Sequence, residues 1–295
     1  MIIKSVKILL EELKSVRCRR KKINFIPTMG NLHQAHLNLV KIAKKEGCFV
    51  IVSIFVNPLQ FNDQKDFKNY PRTLKNDLRL LENLSVDLVF VPGNDFVDKN
   101  VDGTLTALSK VNLRQFSNLL CGIDRPGHFE GVATIILKFL LLIKPDFIFL
   151  GEKDFQQILI IKQVIKDFEF KAKIISQPVI RDENGLALSS RNKLLSRKNF
   201  FLTKFIFENL KLISSEIITQ GFKLSRKSYY EKRFLKQGLL INYLEILKDK
   251  DLSNIDEFAS RGRIFVSVEI GKIRLIDNLS IKKKMKLING KIISC

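Results

Sequence analysis

Apolar positions in the first half of the chain alternate between two rhythms. Val6, Leu9, Leu10, Leu13 and Val16 recur at helical spacing, and the short apolar run Ile23–Ile26 that follows has the length of a strand. Pro27 to Gln34 is a turn, after which Leu37, Leu39, Val40, Ile42 and Ala43 return to helical spacing, closed by Gly47. Phe49–Val56 is unbroken and β-branched, as in a parallel strand buried on both faces. A polar loop, Asn57–Arg72, leads to a helix over Thr73–Leu84 and a strand over Asp87–Pro92. Beyond an irregular stretch, the pattern predicts a helix over Val132–Ile143, a strand over Phe147–Leu150, a helix over Phe155–Phe168 and a strand over Ile174–Ile180. Alternating elements with short links imply right-handed crossovers, so the expected fold class is α/β with a doubly wound, Rossmann-like parallel sheet.

The rhythm changes after Pro178. Lys198–Gly221 reads as a long amphipathic helix and Tyr229–Lys236 as a shorter one, followed by strand patterns at Ile241–Leu247, Ile264–Ile270 and Ile273–Ile276. Helices followed by adjacent strands predict a smaller α+β domain, so the expected division is 1–178 and 179–295. Within Lys286–Ile293, Asn289-Gly290 between apolar runs is a hairpin signal.

Composition narrows the class. The length of 295 residues suits two domains, each with its own core, and 45% apolar against 27% charged residues excludes general disorder. No apolar run reaches the roughly 20 residues of a membrane span; the best, Thr134–Ile143, is short and broken by Lys138. The N-terminus lacks the pattern of a secretory leader. Four widely spaced cysteines without a C-x-x-C pair, and only three histidines, speak against structural zinc or a disulfide framework. The expectation is a soluble cytoplasmic protein without a membrane partner.

A net charge of +21 raises nucleic acid as a partner. The excess is spread, +9 over residues 1–178 and +12 over 179–295, and is mostly lysine, 36 Lys against 15 Arg. Tryptophan is absent and most phenylalanines sit in apolar runs, so no stacking face is indicated. No specific nucleic acid is expected; the charge instead favours small polyanionic substrates.

Three turns carry the chemistry. His33 and His36 lie in Pro27–His36, between a strand's carboxyl end and a helix start, where backbone N–H groups and the helix dipole favour phosphate. Imidazoles there can donate to phosphate oxygens; the plainer alternative is a pair of surface histidines. Gly151-Glu152-Lys153-Asp154 is the second such turn. Lys153 can reach phosphates and Asp154 can accept from ribose hydroxyls, but the same residues also suit an ordinary helix start. Leu188-Ser189-Ser190-Arg191-Asn192 is the third, two hydroxyls and a guanidinium fit to clamp phosphates, or else a helix cap. In two further loops, Gln60 follows the most buried strand, and His128 stands within Gly122–Gly131. Gln60 or Gln157 could orient a carboxylate without competing as a nucleophile. Gln60 could equally be a loop residue, and His128 reads as a satisfied turn histidine.

In order along the chain stand PTMGNLHxxH, SIFVNPxQF, YPRT, RPGHFxGV, GEKDFQQ, GLALSSRN and RLIDN. Together they resemble the pantothenate synthetase (pantoate–β-alanine ligase) family, of the HxGH nucleotidylyltransferase superfamily, from about Phe25 to Asn278. The resemblance implies a cytoplasmic homodimer that uses ATP and magnesium to join pantoate and β-alanine, with AMP and pyrophosphate released. It assigns ATP to Met29, Gly30, Asn31, Leu32, His33, Gln34, Ala35 and His36, to Gly151, Glu152, Lys153 and Asp154, to the Ile180 backbone, and to Leu188, Ser189, Ser190 and Arg191. It implies His36 as proton donor, His33 as its partner on the triphosphate, and Lys153, Ser189 and Arg191 as further catalytic side chains. Gln60 matches a contact to pantoate and β-alanine, and Gln157 a contact to pantoate; metal ligands stay unassigned. The second domain would be a lid that closes over a pantoyl adenylate about a hinge near Pro178.

The chain departs from the family pattern in places. Ala35 replaces the signature glycine, Gln34 an acidic residue, Asp95–Asp102 lacks a Tyr-Pro pair, and the basic tail beyond Asn278 has no counterpart. Two other classes compete. A nucleotidyl transferase acting on a phosphopantetheine-like acceptor would keep the phosphate turns but not the glutamine loops. An RNA-binding protein on an inactive scaffold would explain the charge but not the full set of site residues.

Overall fold

A computed structural model lays down the first half of the chain as β1 (Ile2–Ile3), α1 (Val6–Cys18), β2 (Ile23–Thr28), α2 (Gln34–Ala43), β3 (Phe49–Ile54), α3 (Gln64–Asn69), α4 (Leu74–Asn83), β4 (Leu88–Phe90), β5 (Asp98–Lys99), β6 (Leu105–Thr106), α5 (Cys121–Asp124), α6 (His128–Ile143), β7 (Phe147–Gly151), α7 (Phe155–Asp167) and β8 (Lys173–Gln177). The described residues are all but 45–46, 94–95, 100–104, 107–108, 222–225, 256–260, 283–284, 289–290 and 295. The chain falls into two units, Met1–Pro178 and Val179–Cys295.

The first unit is a six-stranded sheet in the order β1-β4-β3-β2-β7-β8, parallel at every pairing. Continuous apolar strands need cover on both faces. Phe25 and Ile26, adjacent on β2, point to opposite faces and are both fully buried. Leu39, Val40 and Ala43 of α2 and Leu81 of α4 close one side over Val50, Val52 and Val89. Each of these leucines and valines contributes about 1.5–3 kcal/mol by leaving water.

The second unit contains α8 (Arg197–Leu202), α9 (Lys204–Gln220), α10 (Lys227–Lys236), β9 (Leu240–Leu247), β10 (Arg261–Ile270), β11 (Ile273–Lys282), β12 (Met285–Ile288) and β13 (Lys291–Ser294). Strands β9, β10 and β11 form an antiparallel sheet with β10 central. The α9 stripe Ile206, Leu210, Ile213 and Ile217 shares a core with the alternating Ile264, Val266 and Val268 of β10. The β12–β13 pair is antiparallel; its turn, Asn289-Gly290, lies outside the described residues, as do residues 95 and 100–102 of the Asp95–Asp102 stretch. Among the described residues no helix is long and apolar enough to cross a membrane.

Several elements differ from the sequence pattern. The Asn57–Arg72 loop holds a 3-10 turn at Pro58–Gln60 and helix α3, which Asp63 caps by accepting the Lys65 N–H at 2.7 Å. The long helix over Lys198–Gly221 is two helices. At Thr203 the backbone bonds tighten to three-residue spacing, Thr203 N–H to Phe200 O at 3.1 Å and Ile206 N–H to Thr203 O at 3.0 Å. Helix α6 begins at His128, inside a segment whose glycines suggest a loop. Strand β11 runs six residues beyond Ile276, because the polar pair Asp277 and Asn278 is buried and satisfied within it.

Candidate active site

Parallel pairing places the ends of β3, β2 and β7 side by side, so the turns that follow them share one edge of the sheet. Order reverses there, since β2 leads by α2 to β3 on one flank while β7 lies on the other. Such a switch point opens a crevice for ligands.

The turn after β2 is held from below. Gly30 and Asn31 both adopt left-handed backbone, φ +76° and +48°. A β-carbon on Gly30 would stand 3.0 Å from Asp77 Oδ2 and 3.1 Å from Ile54 Cγ2. Asp77, on α4, is fully buried and accepts the Asn31 N–H at 2.9 Å and the Leu32 N–H at 2.9 Å on its two oxygens. Thr73 Oγ1 donates to the same carboxylate at 3.1 Å. Thr28 Oγ1 donates to Ser53 O at 2.7 Å and accepts the Gly30 N–H at 3.2 Å, tying the turn to β3.

That frame presents the histidines. His33 is the N-cap of α2, Gln34 and Ala35 open its first turn, and His36 is its third residue. His36 Nδ1 accepts the His33 backbone N–H at 3.3 Å, and the two rings lie 4.1 Å apart between centroids. With Nδ1 an acceptor, Nε2 carries the hydrogen of the neutral ring. Burial, then the nearby charges of His33 and Lys153, push the His36 pKa down from 6.5 to about 3. The free protein therefore offers His36 as a neutral hydrogen-bond donor.

The turn after β7 is a 3-10 segment, Glu152–Asp154, that runs into α7. Ser176 Oγ donates to Glu152 Oε1 at 3.0 Å, and Lys153 Nζ pairs with Asp154 Oδ1 at 3.4 Å. Of the two glutamines opening α7, Gln157 is partly exposed at this edge. Gln156 is buried, donating to Phe116 O and Leu119 O, each at 2.6 Å, and accepting the Cys121 N–H at 3.2 Å.

After β3, Asn57 is buried and orders Gln60. Asn57 Oδ1 accepts the Leu59 N–H at 3.1 Å, which leaves its Nδ2 to donate to Gln60 Oε1 at 3.0 Å. Gln60 is left with its NH₂ end as the donor it presents.

The remaining candidates belong to the second unit. The Ile180 carbonyl accepts the Leu188 N–H at 2.9 Å, closing a hairpin over residues 180–188. Arg181 clamps it, bidentate to buried Asp277 at 2.5 and 2.9 Å and stacked 3.8 Å over the Phe207 ring. Ser189 caps the next 3-10 turn by accepting the Arg191 N–H at 3.2 Å, and Ser190 and Arg191 open that turn.

The site's supports are what sequence reading misses. Asp77 has one visible signal, a carboxylate at helical spacing between Leu74 and Leu81 on an otherwise apolar face. Asn57 and Gln156 stand inside the motifs SIFVNPxQF and GEKDFQQ, but nothing in those motifs shows that they act as supports, since Asn57 orders a neighbouring glutamine and Gln156 bonds to backbone groups 35 to 40 residues away.

A parallel sheet with a histidine pair and a lysine turn at one switch-point edge defines a Rossmann-like nucleotide-binding enzyme. More specifically, the chain belongs to the pantoate-beta-alanine ligase family, whose model matches residues 1–280. It is 40% identical over 277 residues to the pantothenate synthetase of Acinetobacter baylyi, covering 94% of this chain and 96% of that one. It is 40% identical over 282 residues to the enzyme of Buchnera aphidicola from Acyrthosiphon pisum, covering 95% and 98%. The pantothenate synthetase structure from Thermus thermophilus superimposes with a TM-score of 0.84 at 34% identity, over 94% of this chain and 98% of that chain. The pantoate-beta-alanine ligase of Francisella tularensis, complexed with beta-gamma ATP and beta-alanine, gives 0.77 at 37%, over 95% and 97%.

Proposed function

We propose that the carboxyl edge of the six-stranded sheet is where this chain joins pantoate to β-alanine, in two steps. Pantothenate-forming ligation with ATP is the activity of the family to which the chain belongs. In the first step a pantoate carboxylate oxygen attacks the α-phosphorus of ATP, the bond to the bridging oxygen breaks, and pyrophosphate leaves with the electron pair. In the second, the β-alanine amine attacks the acyl carbon, AMP leaves, and the amine gives up a proton.

The observation that carries this reading is the shared edge: the Met29–His36 turn, the Gly151–Asp154 turn and Gln60 all follow adjacent parallel strands. Two anions must meet in the first step. His33 and His36 are assigned the triphosphate, with His36 donating from Nε2, and Lys153 offsets charge as the phosphorus becomes five-coordinate. Gln60 orients pantoate and β-alanine, and Gln157 pantoate. Ile180, Leu188, Ser189, Ser190 and Arg191 are assigned to ATP by their match to the family motifs. Units 1–178 and 179–295 are read as the ATP- and pantoate-binding domain and the domain that carries the Ser189–Asn192 loop.

Magnesium enters as the counter-ion of ATP. Among the described residues no group of three or more His, Cys, Asp or Glu could hold a metal ion; magnesium that arrives with a nucleotide needs no more than one or two carboxylates beside the phosphate oxygens. A homodimer and a cytoplasmic location complete the reading. Incubation with ATP, pantoate and β-alanine, followed by mass spectrometry, tests it. Pantothenate, AMP and pyrophosphate in equal amounts are expected, and ADP with phosphate instead would contradict it.

A further inference from the structure

The third histidine of the chain is not idle. We propose that His128 and Arg125 are positioning residues for the Gln60 side chain, acting through the Gln60 carbonyl, and that the Arg125–His128 segment thereby sets affinity for pantoate and β-alanine but not for ATP. The proposal rests on the reading that Gln60 contacts those two substrates.

His128 is buried at the first turn of α6, and its Nδ1 lies 2.7 Å from the Gln60 carbonyl oxygen. Arg125 Nη2 donates to the same oxygen at 3.0 Å, while Arg125 Nη1 lies 3.3 Å from His128 Nε2. A guanidinium has no acceptor, so Nε2 must accept, and the ring hydrogen is on Nδ1. Arg125 thus fixes the tautomer that lets His128 donate, and one carbonyl receives two donors from two side chains.

The other end of Gln60 is fixed from the same helix. Asn57 Nδ2, which donates to Gln60 Oε1, also donates to Gly131 O on α6 at 3.1 Å. Gly131 is required there, because a β-carbon would stand 2.2 Å from Leu59 O and 2.8 Å from Gln60 N. Backbone and carboxamide of Gln60 are therefore both referenced to the start of α6, and the NH₂ group is aimed as a consequence. A donor displaced by about 1 Å can lose a large part of its effect on a bound carboxylate.

A double-mutant cycle between His128→Ala and Gln60→Ala separates positioning from general support. His128→Ala should raise KM for pantoate and β-alanine on the order of tenfold, with KM for ATP within about twofold of wild type. In the Gln60→Ala background the same change should add less than about twofold, since nothing remains to position. His128→Asn, whose amide N–H can stand near the place of Nδ1–H, should recover most of the loss. If His128→Ala melts below the assay temperature, the cycle is run with Arg125→Ala, for which the same pattern is expected. A defect that multiplies in full on Gln60→Ala, or that moves KM for ATP equally, overturns the proposal while leaving the role of Gln60 intact. Wild-type constants for Gln60→Ala alone would overturn the substrate assignment, and the proposal with it.

Discussion

His36 and Lys153 show how burial and charge act on single residues of the proposed site. His36 keeps its ring neutral to about pH 3, whereas in the unfolded chain it takes up a proton near 6.5. The unfolded state therefore binds the extra proton first as pH falls. The stability tied to a neutral His36 is complete above pH 6.5 and is lost progressively from there down to about pH 3. Urea titrations at pH 7 and pH 4.5 should show the wild type losing about 2–3 kcal/mol more than His36→Asn; equal losses would mean the ring takes up its proton equally in the folded and unfolded states. Lys153 contributes little to folding, since its pair with the exposed Asp154 is a surface one. Lys153→Ala should leave the melting temperature nearly unchanged and cut single-turnover adenylation by about 100-fold or more. Near-normal adenylation would make it an ordinary residue of a helix start.

At the scale of elements, α4 supports the histidine turn through Asp77. Asp77→Ala would leave two buried N–H groups, of Asn31 and Leu32, without their acceptor, and should destabilise the fold by about 2–4 kcal/mol. Calorimetry gives the loss of stability, and a raised KM for ATP is expected alongside it, because the turn that presents His33 and His36 loses its frame. Five of the six strands and the long helices beside them were legible in the sequence, because buried parallel strands read as apolar runs and their helices as apolar stripes, whereas β1 has only two residues and shows no pattern. The turns after β2 and β7 were legible as strand-to-helix boundaries that carry histidines and a lysine. What was not legible depends on long-range contact. Gly127 and Gly131 suggest a loop, yet Gly127 supplies left-handed backbone at φ +79° before the helix, and Gly131 lets α6 touch Leu59 and Gln60. Asp277 and Asn278 suggest the end of a strand, but Arg181 and Arg263, both distant in sequence, pair with them inside it.

On the scale of the whole molecule, the charge of +21 sets a positive field around the protein. ATP carries several negative charges and β-alanine is a neutral zwitterion, so the two should respond differently to salt. Between 50 and 500 mM salt, kcat/KM for ATP should fall about three- to tenfold while that for β-alanine changes by less than about twofold. Parallel decreases would point to a loss of structure instead of screening. The same field would help bring pantoate and ATP, both anions, onto one sheet edge, and the central claim is what happens there: pantoate is activated as its adenylate before β-alanine reacts. Isotope exchange tests this most directly, with labelled pyrophosphate, ATP and pantoate present and β-alanine withheld. Label should appear in ATP, and omitting pantoate should abolish it; exchange that requires β-alanine, or that proceeds without pantoate, would contradict the account.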